Sequence, residues 1–84
     1  MNLIKSEILS KICYTDLVYG RINKKLKTNY SISEIKTLLY NLIKESPESS
    51  IQKIGKNFYI LNPKNYIRIT VNSHTFRVIT VDKV

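Results

Sequence analysis

The spacing of apolar residues changes at Ile51, and this single change decides the fold class. Before Ile51, apolar residues recur every three or four positions, which is the spacing of an amphipathic helix. After it, apolar and polar residues alternate, as they do in half-buried strands. A chain with helices in one half and strands in the other predicts an α+β fold.

The first part of the chain predicts two helices. One covers residues 3 to about 13, and the other runs from the N-cap Thr15 to about residue 27. A single bent helix over residues 3–27 is the alternative. Gly20 lies inside the second helix, where glycine costs about 1 kcal/mol relative to alanine, so close packing or a kink is expected there.

A third helix is predicted from residue 31 to 45. Ser31 is followed three positions later by Glu34, which is the pattern of a capping box. Pro47 stops the helix. Its buried stripe follows helical spacing and consists of Ile35, Leu38, Leu39, Leu42 and Ile43.

Four strands are predicted after the helices. Residues 51–54 and 58–61 flank a three-residue turn at 55–57, and residues 62–65 form a second turn. The sequence therefore predicts two or three N-terminal helices packed on one face of a C-terminal four-stranded antiparallel meander. We expect one domain over residues 1–84, with a helical part at 1–46 and the meander at 51–82.

The last two strands carry a sorted set of side chains. Strict alternation puts Arg68, Thr70, Asn72 and Arg77 on one exposed face, while the aliphatic residues face the helices. A short even-numbered loop at Ser73 and His74 would set the register by these pairs: Val71 with Phe76, Ile69 with Val78, Ile67 with Thr80, and Thr70 with Arg77. Ile79 and Val81 do not fit this pattern, since both would share the face of Arg77.

The charge of the chain narrows the classes of partner. Fourteen basic residues outnumber six acidic ones, for a net charge of +8, which favours nucleic acid, acidic proteins or anionic membranes. A lysine-rich genome composition is the alternative explanation. No apolar run is long enough for a membrane span, and Cys13 is the only cysteine, so we expect a cytoplasmic protein without disulfides.

Most enzyme signatures are absent from the sequence. One cysteine and one histidine cannot form a zinc site, and we expect neither a metal nor a cofactor. His74 is either simply solvated or a general acid or base for phosphodiester cleavage. In that second case Arg68 and Arg77 would stabilise the phosphorane charge, as in a metal-independent, RelE-like ribonuclease toxin.

Other residues predict nucleic-acid binding without catalysis. The hairpin tip combines Lys56 and Asn57 with Tyr59, which could stack on a base, although turn chemistry and a core aromatic also explain this segment. Thr70 and Asn72 would add hydrogen bonds. A basic helical run contributes Arg21 and Lys24, either as a phosphate track or as an ordinary solvated face.

These segments resemble a family of small bacterial proteins, the domain of unknown function catalogued as 3781. The matching pieces are Thr15-Asp16, Arg21-Ile22, Leu26, Gly55-Lys56-Asn57-Phe58-Tyr59, Ile69-Thr70-Val71-Asn72-Ser73 and Ile79-Thr80-Val81. The family pattern often has a histidine before the first threonine and another after the final strand. Cys13 and either Asp82 or Lys83 stand at those places here. The resemblance implies one compact domain of bacterial or mobile-element origin and brings no activity with it.

Two function classes follow from the sequence. The first is a small basic domain that binds nucleic acid, with RNA favoured over DNA, and that includes the ribonuclease toxin as its catalytic version. The second is a protein-interaction module or inhibitor from a mobile element that docks on a nucleic-acid-processing enzyme. Its interface would include Ile79 and Val81 beside Arg77. A homodimer is compatible with both classes.

Overall fold

A computed structural model describes residues 4–84 of the chain. Within these residues three helices precede a four-stranded antiparallel sheet of order β1-β2-β3-β4, which confirms the α+β prediction. None of the helices in the described part is long and apolar enough to cross a membrane. The elements are α1 (Ile4–Lys11), α2 (Asp16–Leu26), α3 (Ile32–Glu45), a 3-10 turn (Glu48–Ser50), β1 (Ile51–Ile54), β2 (Asn57–Asn62), β3 (Ile67–Asn72) and β4 (Val78–Lys83).

The third helix begins at the predicted capping box. The Ser31 hydroxyl accepts the Glu34 N–H at 3.2 Å, and the Ser31 N–H donates to the Glu34 carboxylate at 2.9 Å. Because two backbone N–H groups at the helix start are satisfied in this way, the local sequence alone fixes where α3 starts. Ser46 is the C-cap, directly before Pro47.

The first two helices are separate, so the alternative of one bent helix is wrong. Cys13 lies between them and forms a parallel bridge with Arg77: its N–H donates to the Phe76 carbonyl and its carbonyl accepts the Val78 N–H. These two bonds, 2.9 and 3.0 Å long, tie the connection between the helices to the start of β4. Residue 3, the predicted first residue of the first helix, lies outside the described residues.

The close packing expected at Gly20 is wrong. The helix continues through Gly20, and a Cβ atom at this position would meet no heavy atom within 4 Å. Gly20 is exposed, so close packing does not account for it.

The hydrophobic core lies between the helices and one face of the sheet, called here the helix-side face. Alternate residues of the strands contribute to it, and the helices supply Ile8, Val18, Ile22, Ile35 and Leu39. The sheet residues on this face are Phe58, Ile60, Ile69, Val71, Val78 and Val81. Because side chains alternate along a strand, the residues between them project from the opposite face, called here the open face.

The turn between the first two strands is shorter than predicted. The β1–β2 turn has two residues, not three, since Ile54 pairs with Asn57 and only Gly55 and Lys56 lie between them. Gly55 has a φ of +61°, the left-handed conformation that glycine adopts without steric cost.

The predicted register of the last two strands is wrong. Val71 pairs with Val78 rather than Phe76, and Ile69 pairs with Val81. Phe76 has a φ of +59° and closes a loop over residues 73–76 in which its N–H donates to the Asn72 carbonyl. The loop is therefore two residues longer than expected, and β4 starts two residues later.

A register shift between Thr70 and Val71 explains the two residues that did not fit the alternation. Val71 pairs with Val78 and Thr70 pairs with Thr80, so Ile79 is the extra residue of a bulge. After the bulge, Val81 returns to the helix-side face, where it is 0% exposed. The prediction that Val81 forms part of an exposed interface is therefore wrong.

Candidate functional site

Five of the predicted site residues lie on the open face, on the two central strands. Asn57 and Tyr59 come from β2, and Arg68, Thr70 and Asn72 come from β3. In the antiparallel register, Asn57 is opposite Asn72 and Tyr59 is opposite Thr70. Because the helices pack on the other face, these side chains form one surface that the helices leave uncovered.

A groove of about 690 Å³ runs over this open face. We call it the sheet groove; its walls include Gln52, Ile54, Tyr59, Leu61, Arg68 and Val84. Of the described side chains that line it, only Arg68 is charged. Arg68 is exposed, and the polar residues Ser49, Ser50 and Gln52 also line the groove. The Arg68 guanidinium can bind an anion such as a phosphate through paired N–H donors.

Arg68 has no carboxylate partner within the described part of the chain. Asp82 faces it across the β3–β4 ladder, yet the Asp82 carboxylate lies 3.1 Å from the Lys25 ammonium. Asp82 therefore interacts with α2 at the sheet edge. The Arg68 guanidinium is left with all five N–H donors available to a ligand.

Tyr59 lines the sheet groove, and Thr70 lies beside Tyr59 on the neighbouring strand. Thr70 is only 5% exposed although it lies on the open face, because Tyr59 and Thr80 stand beside it on the neighbouring strands. Tyr59 in turn is half-buried between Gln52 and Thr70. A tyrosine ring held between two neighbours loses little further freedom when a ligand binds, which favours stacking.

The end of the sheet at the hairpin tip is held together by backbone hydrogen bonds. The Lys56 carbonyl accepts both the Ser73 N–H at 2.8 Å and the Ser73 hydroxyl at 2.9 Å. The Asn72 amide oxygen accepts the N–H groups of His74 and Thr75. Lys56, Asn57, Asn72 and His74 thus gather at one end of the open face, and part of the role of Asn72 is to shape the loop.

The three proposed catalytic residues do not line the same pocket. Arg68 lines the sheet groove, Arg77 lines a different cleft, and His74 lines neither of them. Arg68 and Asn72 are four residues apart on the same strand, roughly 13 Å at the usual rise. His74 lies beyond Asn72, so no arrangement of these residues around one phosphate is seen.

The second cleft lies where β4 meets α2, and we call it the edge cleft. It has a volume of about 250 Å³, and its walls include Thr15, Leu17, Arg21, Arg77 and Ile79. Arg21 donates one hydrogen bond to the Ile79 carbonyl at 3.3 Å. Lys24, the remaining predicted residue of α2, is exposed one turn away from Arg21.

Sequence reasoning missed a cluster of tyrosines between the helices. Tyr14 stacks on Tyr19 with ring centroids 5.5 Å apart, and the Lys36 ammonium lies 5.9 Å from the Tyr14 ring. Burial raises the pKa of Tyr14 to about 12, and the nearby Tyr19 and Cys13 add to the shift. Tyr14 and Tyr19 are only five residues apart, but Tyr14 precedes α2 and Lys36 comes from α3, so helical spacing alone did not reveal the cluster.

No group of three or more His, Cys, Asp or Glu residues in the described part of the chain could hold a metal ion.

A family model described as "Protein of unknown function (DUF3781)" matches residues 6–82, and the chain therefore belongs to this family. The searches of the curated proteins and of the solved structures found no match.

Proposed function

We propose that this DUF3781 protein binds single-stranded nucleic acid, RNA in preference to DNA, across the open face of its sheet. The observation that carries this proposal is the sheet groove, in which a half-buried tyrosine ring and an arginine without a carboxylate partner lie on adjacent strands. Tyr59 would stack on a base, and Arg68 would bind a neighbouring phosphate.

A single strand fits this surface better than a duplex. Stacking on Tyr59 needs a base whose flat face is free, which a duplex does not offer. Gln52 lines the groove and Asn72 lies on the same open face, and their side-chain amides supply donors and acceptors for the sugar. A 2′-hydroxyl both donates and accepts hydrogen bonds. This chemistry favours RNA over DNA.

Basic residues around the groove would extend the contact. Lys56 lies at the hairpin tip at one end of the open face, and the net charge of the chain is +8. Each phosphate that is neutralised releases counterions, so affinity should fall steeply as salt rises.

The test measures binding of a dye-labelled, mixed-sequence single-stranded RNA by fluorescence anisotropy at two salt concentrations. Tyr59→Leu keeps an apolar side chain but removes the ring, and Arg68→Gln removes the charge. Each should weaken binding by about 10-fold, since stacking and charged hydrogen bonds each contribute about 1–3 kcal/mol. Arg68→Gln should also lower the salt dependence.

Lys44→Gln is the matched control, because Lys44 is an exposed cation on α3 that does not line the sheet groove. It should change affinity far less than Arg68→Gln does. Equal losses for both variants would mean that only net charge matters and would contradict a site on the sheet.

The protein-interaction alternative has its own supporting observation. Leu17 is 82% exposed and lines the edge cleft, and Ile54 is 60% exposed and lines the sheet groove. Salt-tolerant binding to a protein, together with no binding to RNA at low salt, would favour this alternative. RNA cleavage that His74→Ala abolishes would favour the ribonuclease.

A further inference from the structure

The edge cleft brings two arginines together without a matching negative charge. Arg21 comes from α2 and Arg77 from the residue before β4, and both line the same space of about 250 Å³. Within residues 4–84 neither guanidinium has an ion pair; the two ion pairs found there join other residues. Asp16, next to Thr15 in the chain, is not among the residues that line the cleft.

Two cations that line one cleft repel each other, and an anion bound between them would offset that repulsion. Val18 and Val78, both 3% exposed, form part of the walls of the cleft. Arg21 uses one of its five N–H donors on the Ile79 carbonyl. The other donors, and the whole Arg77 guanidinium, have no hydrogen-bond partner among the described residues.

Thr15 adds a hydroxyl to the same cleft. It is the N-cap residue of α2, but its side chain makes no capping hydrogen bond. Cys13, two residues before Thr15, holds this segment beside Arg77, because its backbone is hydrogen-bonded to Phe76 and Val78. The cleft thus offers two arginine forks and a hydroxyl on elements that are tied together.

We infer that the edge cleft binds the terminal phosphate of a nucleic-acid strand, an inference that rests on the proposed function. A phosphate monoester carries a charge of about −1.5 to −2 at neutral pH, which matches two guanidinium groups. A phosphodiester within a strand carries only one negative charge and would leave one arginine uncompensated. Arginine forks also suit the several oxygens of a monoester.

The experiment compares RNAs of one sequence that carry a 5′-phosphate, a 3′-phosphate or only hydroxyl ends. The wild-type protein should bind one of the phosphorylated RNAs roughly 10-fold more tightly than the hydroxyl-ended RNA, the effect of one charge-assisted contact. Arg77→Gln and Arg21→Gln should each reduce this ratio to about one. Circular dichroism checks that both variants remain folded.

Arg68→Gln is the control that separates the two proposals. It should weaken binding of all three RNAs and leave the ratio between them unchanged. If the wild-type protein binds the three RNAs equally while Arg68 still matters, the terminal-phosphate inference is overturned and the proposed function stands.

A second measurement decides the case in which no RNA binds and the proposed function fails. Inorganic phosphate is titrated while the backbone amide signals of Thr15, Leu17 and Arg77 are followed by NMR. Localised shifts that are absent in Arg77→Gln would support an anion site in the cleft that takes free phosphate. Unchanged signals would overturn the anion site as well.

Discussion

The two faces of the sheet are built from the same strands, but the helices bury one face and leave the other exposed. On the helix-side face, Ile60, Ile69 and Val81 are completely buried against the helices. On the open face, their neighbours Leu61 and Arg68 remain at least partly exposed and line the sheet groove. Stability therefore depends on one face, and the other is free to carry a binding site.

This division matters for a chain of 84 residues. A domain of this size buries only about 60–65% of the surface of its unfolded chain, so most of its stability must come from one small core. Polar or charged residues without hydrogen-bond partners on the helix-side face would reduce that stability directly. Alternation along β2 and β3 lets the chain place Arg68 and Tyr59 one residue away from the core without that loss.

The largest effect is expected for a pair of neighbouring residues on opposite faces. Ile60→Ala should lower the free energy of unfolding by about 2–5 kcal/mol, because it removes buried methyl groups and leaves a cavity. Leu61→Ala should cost clearly less, since Leu61 is only half-buried. Urea denaturation of both variants measures the difference.

Similar losses for the two variants would contradict the division between the faces. They would mean that the open face is covered, for example by a second copy of the chain. Repeating the urea measurement at several protein concentrations distinguishes this case, because the stability of a dimer depends on concentration.

Much of this architecture could be predicted because it is encoded locally. Ser31 and Glu34 are three residues apart and fix the start of α3 by themselves, and the alternation in β3 assigns Arg68 and Thr70 to the open face correctly. The two faces of β3 were therefore readable from the sequence.

The errors arose where distant segments decide the local structure. Phe76 adopts a left-handed conformation beside the Cys13 bridge, and that bridge links residues more than sixty positions apart. The edge cleft depends on the same bridge and on the bulge at Ile79. Spacing within a strand could predict that Arg68 lies on the open face, but it could not predict that Arg21 and Arg77 line one cleft.

A buried polar residue on the helix-side face offers the second prediction. Asn62 is 1% exposed; its amide N–H donates to the Leu42 carbonyl at 2.9 Å, and its amide oxygen accepts the Asn65 N–H at 3.0 Å. Asn62→Ala should lower the free energy of unfolding by about 1–3 kcal/mol, because buried partners lose their hydrogen bonds. Asn41→Ala is the control; Asn41 is an exposed residue of α3, and its substitution should be nearly neutral. A neutral Asn62→Ala would show that this face does not depend on the link to α3.

Thr70 provides the corresponding test on the open face, where it is nearly buried. Here a substitution is expected to have little effect on stability, unlike Asn62→Ala. None of the described hydrogen bonds involves its hydroxyl, and valine has the same branched shape. Because the hydroxyl has no hydrogen bond to a described residue to lose, Thr70→Val should change the free energy of unfolding by less than about 1 kcal/mol in urea denaturation. A loss above about 2 kcal/mol would mean that the hydroxyl supports the fold rather than the groove.

The smallest effect concerns the helix layer that covers the core. The pKa of Glu34 is lowered because its carboxylate accepts the Ser31 N–H and interacts with the Ser31 side chain. A carboxylate with a lowered pKa in the folded state stabilises the fold above its unfolded-state pKa, and this contribution is lost as pH falls through the folded-state pKa. Glu34→Gln should therefore make stability less dependent on pH on the acid side of neutrality, as measured by urea denaturation at several pH values. Glu45→Gln, at the other end of α3, leaves the capping box intact and should keep the acid-side loss. If Glu34→Gln loses as much stability in acid as the wild type does, the charge of Glu34 in the capping box does not stabilise the helix layer that covers the helix-side face.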